Sequence, residues 1–178
     1  MEKAEERNRS TGETASAVAI ESGSALDESF MRSAFAEAIT ARDHQEVPVG
    51  AIVVRDGLVL GRGSNQPIRA LDPTAHAEVV ALRNAASRIG NYRLSGATLY
   101  VTVEPCVMCV GSLVHARIAR LVYGAAEPRT GAVNSAFRLL DQTSFNHRVK
   151  VIGGVLESEC RQLMQAFFAA RRMASASS

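Results

Sequence analysis

Cysteine is scarce in this 178-residue chain: Cys106, Cys109 and Cys160 are all it has. Three thiols, two of them three positions apart, do not make the disulfide framework of a small secreted domain. The close pair suits metal binding or redox chemistry, and Cys160 reads as a small buried hydrophobe. Long apolar runs are missing as well. None approaches the roughly 20 residues that a membrane-spanning helix needs. The N-terminus does not read as a secretory signal, because it opens with Glu2, Glu5 and Glu6 and its apolar stretch, 15–20, is too short. These absences predict a soluble, cytoplasmic protein with no membrane partner. Nor does one charge dominate, since the formal net charge is only +2. It is unevenly spread, however. Residues 1–28 hold three basic and seven acidic side chains, a net of −4, which leaves +6 on the rest. A moderately basic body is compatible with a polyanion partner without requiring one.

What is present suits one globular domain. The length favours a single core, and 47% of the residues are apolar. Residues 1–27 are rich in Glu, Ser, Ala, Thr and Gly and lack periodic apolar positions, which predicts a disordered or loosely ordered acidic leader. The folded domain is expected over 28–173 and a frayed tail over 174–178. Phe30, Ala34, Phe35, Ala38 and Ile39 fall at helical spacing, so 29–42 reads as an amphipathic helix. Two apolar runs, 49–54 and 58–61, flank Asp56-Gly57, a strong hairpin signal. Then come a helix over 74–89 with Thr74 as its cap, a strand over 97–103, and a helix over 106–116 with Pro105 at its start. Strands at 119–123 and 149–155 and an amphipathic helix over 157–172 complete the order. The fold class this predicts is α/β, a three-layer α/β/α domain with a mixed sheet of five strands, parallel where a helix connects them.

Two short motifs carry the chemistry. His76-Ala77-Glu78 opens the second helix, and Pro105-Cys106-Val107-Met108-Cys109 opens the third, with a strand between. Zinc favours thiolate and imidazole ligands in tetrahedral array. Two cysteines three apart on a first helical turn share a face, and the positive end of the helix favours thiolate. His76 reaches the same point if the two helices begin side by side. Three protein ligands leave one position for water, the mark of a catalytic zinc. Glu78 is then the candidate base, although i and i+2 of a regular helix point apart, so the site must lie at the helix end. Cys-x-x-Cys alone also suits a dithiol redox pair or half of a structural zinc site. No second cysteine pair exists, and the redox reading leaves His76 and Glu78 unused. H-x-E followed by P-C-x-x-C is the zinc-deaminase signature. His44, His115 and His147 read as surface or satisfied core residues, and Arg171-Arg172 as a solvated helix end.

With these motifs the chain resembles the cytidine deaminase superfamily, and within it the bacterial tRNA-specific adenosine deaminases. The resemblance runs from about Met31 to Arg172 and extends to stretches beyond the metal motif. These are Glu46-Val47-Pro48-Val49-Gly50-Ala51, Asp72-Pro73-Thr74-Ala75, Asn91-Tyr92-Arg93-Leu94, Ala97-Thr98-Leu99-Tyr100-Val101-Thr102, and Asn146-His147-Arg148-Val149. It implies the three-layer deaminase fold, a homodimer, and one Zn2+ per subunit. It also implies hydrolytic conversion of adenosine to inosine at the wobble position of a tRNA anticodon loop. By matching position it implies that Asn65 hydrogen-bonds the target nucleotide. Val47, Pro48, Val49 and Ala77 would contact the base, and Thr130 and Gly131 would lie in the loop that approaches RNA. Where this family often has Gly-Trp-Asn, the chain has Gly63-Ser64-Asn65. Where it often has Ala-Arg-Asp-Ala-Lys-Thr-Gly, the chain has Ala125-Ala126-Glu127-Pro128-Arg129-Thr130-Gly131.

In the expected mechanism, zinc held by His76, Cys106 and Cys109 activates a water, Glu78 passes its proton to the adenine ring nitrogen, and Glu78 then protonates the amine, which leaves as ammonia. Deamination of a free nucleobase or nucleoside, such as cytosine or guanine, uses the same metal motif and is the alternative. A catalytically silent RNA-binding copy of the fold would have no use for Glu78.

Overall fold

The computed structural model describes residues 20–21 and 23–176. Most of the leader expected over 1–27, and residues 177–178 of the expected tail, lie outside the described residues.

The first helix, α1 (Ala25–Asp43), begins before the expected position 29. Ser24 caps it. The Ser24 hydroxyl accepts from the Asp27 amide at 3.2 Å, and the Asp27 carboxylate accepts from the Ser24 amide at 2.9 Å. This reciprocal box satisfies two backbone donors before the apolar stripe starts, so the helix nucleates upstream of any visible periodicity. Met31, Ala34, Ala38 and Ala41 then form the buried stripe. Asp27, within the stretch expected as leader, therefore belongs to this helix.

Strands β2 (Gly50–Arg55) and β3 (Leu58–Ser64) form the expected hairpin, in antiparallel register. Asp56 and Gly57 take φ of 53° and 75°, the left-handed pair that a tight two-residue turn requires. A short helix, α2 (Pro67–Ala70), has no counterpart in the expected order. Then follow α3 (Ala77–Ile89), β4 (Thr98–Val103), α4 (Val107–His115), β5 (Arg120–Ala125), a 3-10 turn (Leu139–Asp141), β6 (Lys150–Ile152) and α5 (Glu157–Ala176). α5 runs on through Ala176, so the part of the expected frayed tail that is described is helical.

With a strand β1 (Ile20–Glu21) at one edge, the sheet order is β1-β6-β5-β4-β2-β3. The five expected strands are joined by this two-residue edge strand, which pairs parallel with β6 and belongs to the stretch expected as leader. β6, β5 and β4 run parallel, and β2 is antiparallel to both neighbours. Alternate strand residues face opposite ways, so the sheet feeds two cores. Ala51, Val53, Leu99, Val101 and Leu121 pack against α3 and α4. Ile52, Val54, Tyr100 and Val122 pack with Met31 and Ala34 of α1, and Gly124 on the same side lies against Cys160 of α5. The result is the expected three-layer α/β/α sandwich.

The start of α3 is fixed by one close approach. A Cβ on Gly63 would stand 2.2 Å from the Ala77 carbonyl oxygen. Only glycine lets the first turn of α3 settle directly on the end of β3. That end of the sheet is also the carboxyl end of β4 and β5, where open α/β sheets bind their ligands.

Candidate active site

His76 and Cys106 occupy equivalent places. Each is the residue just before a helix, in extended backbone (φ, ψ of −68°, 152° and −76°, 175°), and neither makes a side-chain cap bond. Their side chains are therefore free to face one another across two helix starts. Thr74 is not the cap of α3, as the sequence suggested. It sits in the preceding turn, where Asp72 accepts from its amide at 2.8 Å and its hydroxyl at 2.7 Å, and Arg83 reaches back to the same carboxylate at 3.2 Å. The His76 amide then donates to the Thr74 carbonyl at 2.8 Å, which sets the direction of the imidazole. Likewise Pro105 stands one residue before the cap of α4, not at its first position. Its carbonyl accepts from the Ala132 amide at 2.8 Å.

The three ligand atoms converge. Cys106 Sγ lies 3.7 Å from Cys109 Sγ and 3.7 Å from His76 Nδ1, and Cys109 Sγ lies 3.5 Å from that nitrogen. A tetrahedral zinc with bonds of about 2.3 Å to sulfur and about 2.1 Å to nitrogen spaces its ligands about 3.8 Å (S to S) and about 3.6 Å (S to N) apart. The donor set and its spacing thus fit zinc. Among the described residues no fourth His, Cys, Asp or Glu joins this group. The sulfurs compete for protons in a way a dication relieves. A hydrogen bond from Cys109, together with His76, pulls the Cys106 thiol down to about 4. The Cys106 sulfur, aided by burial, pushes Cys109 far up. His76 is raised by its contact with Cys106.

Glu78 is the second residue of α3 and 4% exposed. Because His76 precedes the helix, the two side chains meet at the helix end and the i, i+2 divergence does not arise. Burial raises the Glu78 carboxyl above its ordinary value, with the Cys109 thiol and His76 pulling the other way. A carboxyl biased towards its neutral form inside a cavity is suited to both accepting and giving a proton.

These groups open into a cavity of about 330 Å³ lined by Val47, Val49, Asn65, His76, Glu78 and Cys106, among others. That volume suits a single nucleobase with part of its sugar.

The family described as the cytidine and deoxycytidylate deaminase zinc-binding region matches residues 24–125. The tRNA-specific adenosine deaminase of Haemophilus influenzae is 49% identical over 150 residues, covering 84% of this chain and 87% of that one. The chain belongs to the tRNA-specific adenosine deaminase family. A solved structure from work on A-to-I editing by tRNA:A34 deaminases at the wobble position of transfer RNA superposes with a TM-score of 0.72. It is 46% identical and covers 76% of this chain and 98% of that one. A guanine deaminase from Bacillus subtilis superposes with a TM-score of 0.54 at 38% identity, covering 56% of this chain and 64% of that one.

Within this tRNA-deaminase fold, the other residues singled out by sequence divide into two groups. Val47, Val49, Asn65 and Thr130 line the cavity. Pro48, Ala77 and Gly131 do not: all three are buried behind it, Ala77 in the core under α3 and Gly131 against the Glu104 carboxylate. A residue adjacent in sequence to a wall residue often points the other way, and position alone does not distinguish the two. The sequence reading missed Pro67, Val103, Glu104, Met164 and Phe168, and placed Glu127 only in a variant loop, yet all six line the cavity. Phe168, 40% exposed on α5, had the one available signal: a large aromatic ring on a late helix that the core does not consume. Among the other histidines, His147 is a satisfied structural residue, its Nε2 bonded to the Ile118 carbonyl at 2.7 Å. Arg171 lies over the Phe167 ring at the exposed end of α5.

Proposed function

We propose that this protein hydrolyses the 6-amino group of adenosine at the wobble position of a tRNA anticodon, leaving inosine and releasing ammonia. The observation that carries this reading is the convergence of one imidazole and two sulfurs at zinc spacing beside a buried carboxyl, in a chain so similar to tRNA-specific adenosine deaminases. His76, Cys106 and Cys109 hold the metal. Zinc bound there lowers the pKa of a coordinated water towards neutrality. Glu78 takes a proton from the attacking water and delivers it to the ring nitrogen beside the amino-bearing carbon, then takes the remaining hydroxyl proton of the adduct and gives it to the leaving amine. The cavity walls Val47 and Val49 flank the base, and Asn65 offers the target nucleotide an amide. Pro48, Ala77 and Gly131 act from behind the wall by holding it in shape. Thr130 and Glu127 face the nucleotides beside the target.

The base must leave any stack to reach so enclosed a carboxyl, which favours a single-stranded loop over a duplex. Arg129, Arg161 and Arg172 line a neighbouring cavity that shares Glu127, Met164 and Phe168 with the first, and their charge suits an RNA backbone. A homodimer and a cytoplasmic location belong to the same reading, the latter because that is where mature tRNA is used. Deamination of free guanine is the second reading, because a guanine deaminase shares the fold.

The test is to incubate zinc-loaded protein with an anticodon stem-loop carrying a wobble adenosine and, separately, with free guanine and cytosine. Inosine in the stem-loop is expected. Turnover of the free bases alone would overturn the tRNA assignment in favour of the second reading.

A further inference from the structure

The mechanism leaves a buried carboxylate at the cavity itself without a task. Glu104 directly follows β4, two residues before Cys106, lines the substrate cavity, and is only 3% exposed. Its side chain is fully engaged, and every donor comes from one loop. Oε1 accepts from the amides of Val133 at 3.1 Å, Asn134 at 2.7 Å and Ser135 at 2.9 Å. Oε2 accepts from the Glu127 amide at 3.1 Å and from the Ser135 hydroxyl. The partners lie 23 to 31 residues further along the chain. Gly131 sits inside this grip, since a Cβ there would stand 2.5 Å from Oε2.

We propose that Glu104 is a positioning residue for RNA: its carboxylate gathers the 127–135 loop around itself and so fixes the Glu127 and Thr130 wall of the cavity relative to the turn that carries Cys106.

The loop has no regular structure of its own to hold it. Its other ties run to the same place. The Ala132 amide donates to the Pro105 carbonyl, and Gly131 and Cys106 form an isolated antiparallel bridge. Glu104 therefore links the metal end of the cavity to the wall that meets the substrate. Five donors on one carboxylate hold the loop where it passes from the core, which takes Ala132 and Val133, to the surface, where Asn134 and Ser135 are exposed. Charge-assisted bonds of this kind are the strong ones, and they prevent the loop from sampling positions that close the cavity or spread it. The role rests on the tRNA reading, because it is the grip on nucleotides beside the target that the loop would control.

The test uses Glu104→Gln in the zinc-loaded protein. Glutamine keeps the shape but turns an NH2 group towards backbone donors, so the loop is released while the metal ligands stay. Amide hydrogen exchange at Val133, Asn134 and Ser135 should quicken by about tenfold or more, with zinc content unchanged. On an anticodon stem-loop, KM should rise about tenfold while kcat changes by less than about threefold. A purely structural residue would not give that split. It would lower zinc content and kcat together. Ser135→Ala, which removes a single donor, should shift KM in the same direction by about threefold, and it carries the test if the Gln variant does not fold. Unchanged exchange in the loop would overturn the clamp, and so would faster exchange with an unaltered KM. If the wild-type protein makes no inosine from the stem-loop, the tRNA reading fails and the RNA half of the proposal with it. The exchange measurement still decides, without substrate, whether Glu104 holds the loop.

Discussion

Two carboxylates are buried on opposite faces of the sheet, and they are treated in opposite ways. Asp27, on the α1 face, is surrounded by donors. Its Oδ1 accepts from the Tyr100 hydroxyl at 3.0 Å and from Arg120 at 2.7 Å, and its Oδ2 accepts from Arg120 at 2.7 Å and from the Ser24 amide and hydroxyl at 2.9 Å each. Burial pushes its carboxyl up, but Arg120 and Ser24 together overcome that and hold it well below the usual carboxylate range. Glu78, on the α3 face, is similarly buried but has no comparable set of donors. There burial prevails and the carboxyl rises. The first arrangement locks a charge in place and ties α1 to β4 and β5. The second leaves a proton easy to move. A buried charge that is completely paired contributes stability, whereas one left underpaired beside a metal site is suited to chemistry.

The contrast is most severely tested at Glu78. Glu78→Gln should lower kcat by about 10²–10⁴-fold, the range of general acid–base assistance, with zinc content and thermal midpoint unchanged. Normal turnover in that variant would remove Glu78 from the mechanism. Asp27→Asn should do the reverse. It leaves Arg120 without its bidentate partner and weakens the cap of α1, at a cost of about 3 kcal/mol in urea unfolding, the low end for a broken buried pair because Arg120 is 26% exposed. Its kcat per folded molecule should match the wild type. A stable but inactive Asp27→Asn would abolish the distinction between the two faces.

The same pair predicts a pH dependence. Because the folded Asp27 carboxyl lies below its ordinary value of 3.8, its contribution is fully present above that pH and is lost as the pH falls further. Acid unfolding of the wild type should therefore show a loss of stability below about pH 4 that Asp27→Asn does not share. Urea midpoints for both proteins, taken from pH 6 down to about pH 3, would check this. Parallel curves would mean that Asp27 is not held ionised by Arg120.

Which parts of this molecule the sequence discloses follows from how local the determinants are. The metal site is legible because each half is a turn and a first helical turn, all within a few residues. His76-Ala77-Glu78 and Pro105 to Cys109 carry their geometry with them. The hairpin at Asp56-Gly57 is legible for the same reason. The start of α1 is not, because its capping box uses Asp27 where glutamate is the usual third residue and no apolar period precedes it. Thr74 looks like a cap by type, yet Asp72 recruits it into a turn. The far wall of the cavity is the least legible. Met164 and Phe168 come from α5, about sixty residues beyond the cysteines, on a helix whose apolar positions read equally well as core. Glu104 stands in full view beside Pro105, but nothing in its neighbourhood announces that its partners are amides of a later loop. Backbone donors leave no trace in residue identity, so a clamp of this kind is visible only in three dimensions.

The finest probe of the Asp27 side is Tyr100→Phe. Tyr100 is 3% exposed, and burial followed by Asp27 raises its hydroxyl to about 12, so it is neutral and donating across the ordinary pH range. Its removal does not orphan the acceptor, because Arg120 still donates to the same Oδ1 at 2.7 Å. The ring keeps its packing against Phe30, at a centroid distance of 5.3 Å. Two hydrogen bonds are lost, the one the hydroxyl donates to Asp27 and the longer one it accepts from Arg120 at 3.3 Å, and no unpaired charge is created. The expected cost is about 1 kcal/mol, or a fall of roughly 2–4 °C in thermal midpoint, with zinc content and kcat unaffected. A loss as large as that of Asp27→Asn would show that the hydroxyl, and not the guanidinium, keeps this carboxylate ionised. In that case the two faces differ by the polarity of one buried tyrosine rather than by the presence of an arginine.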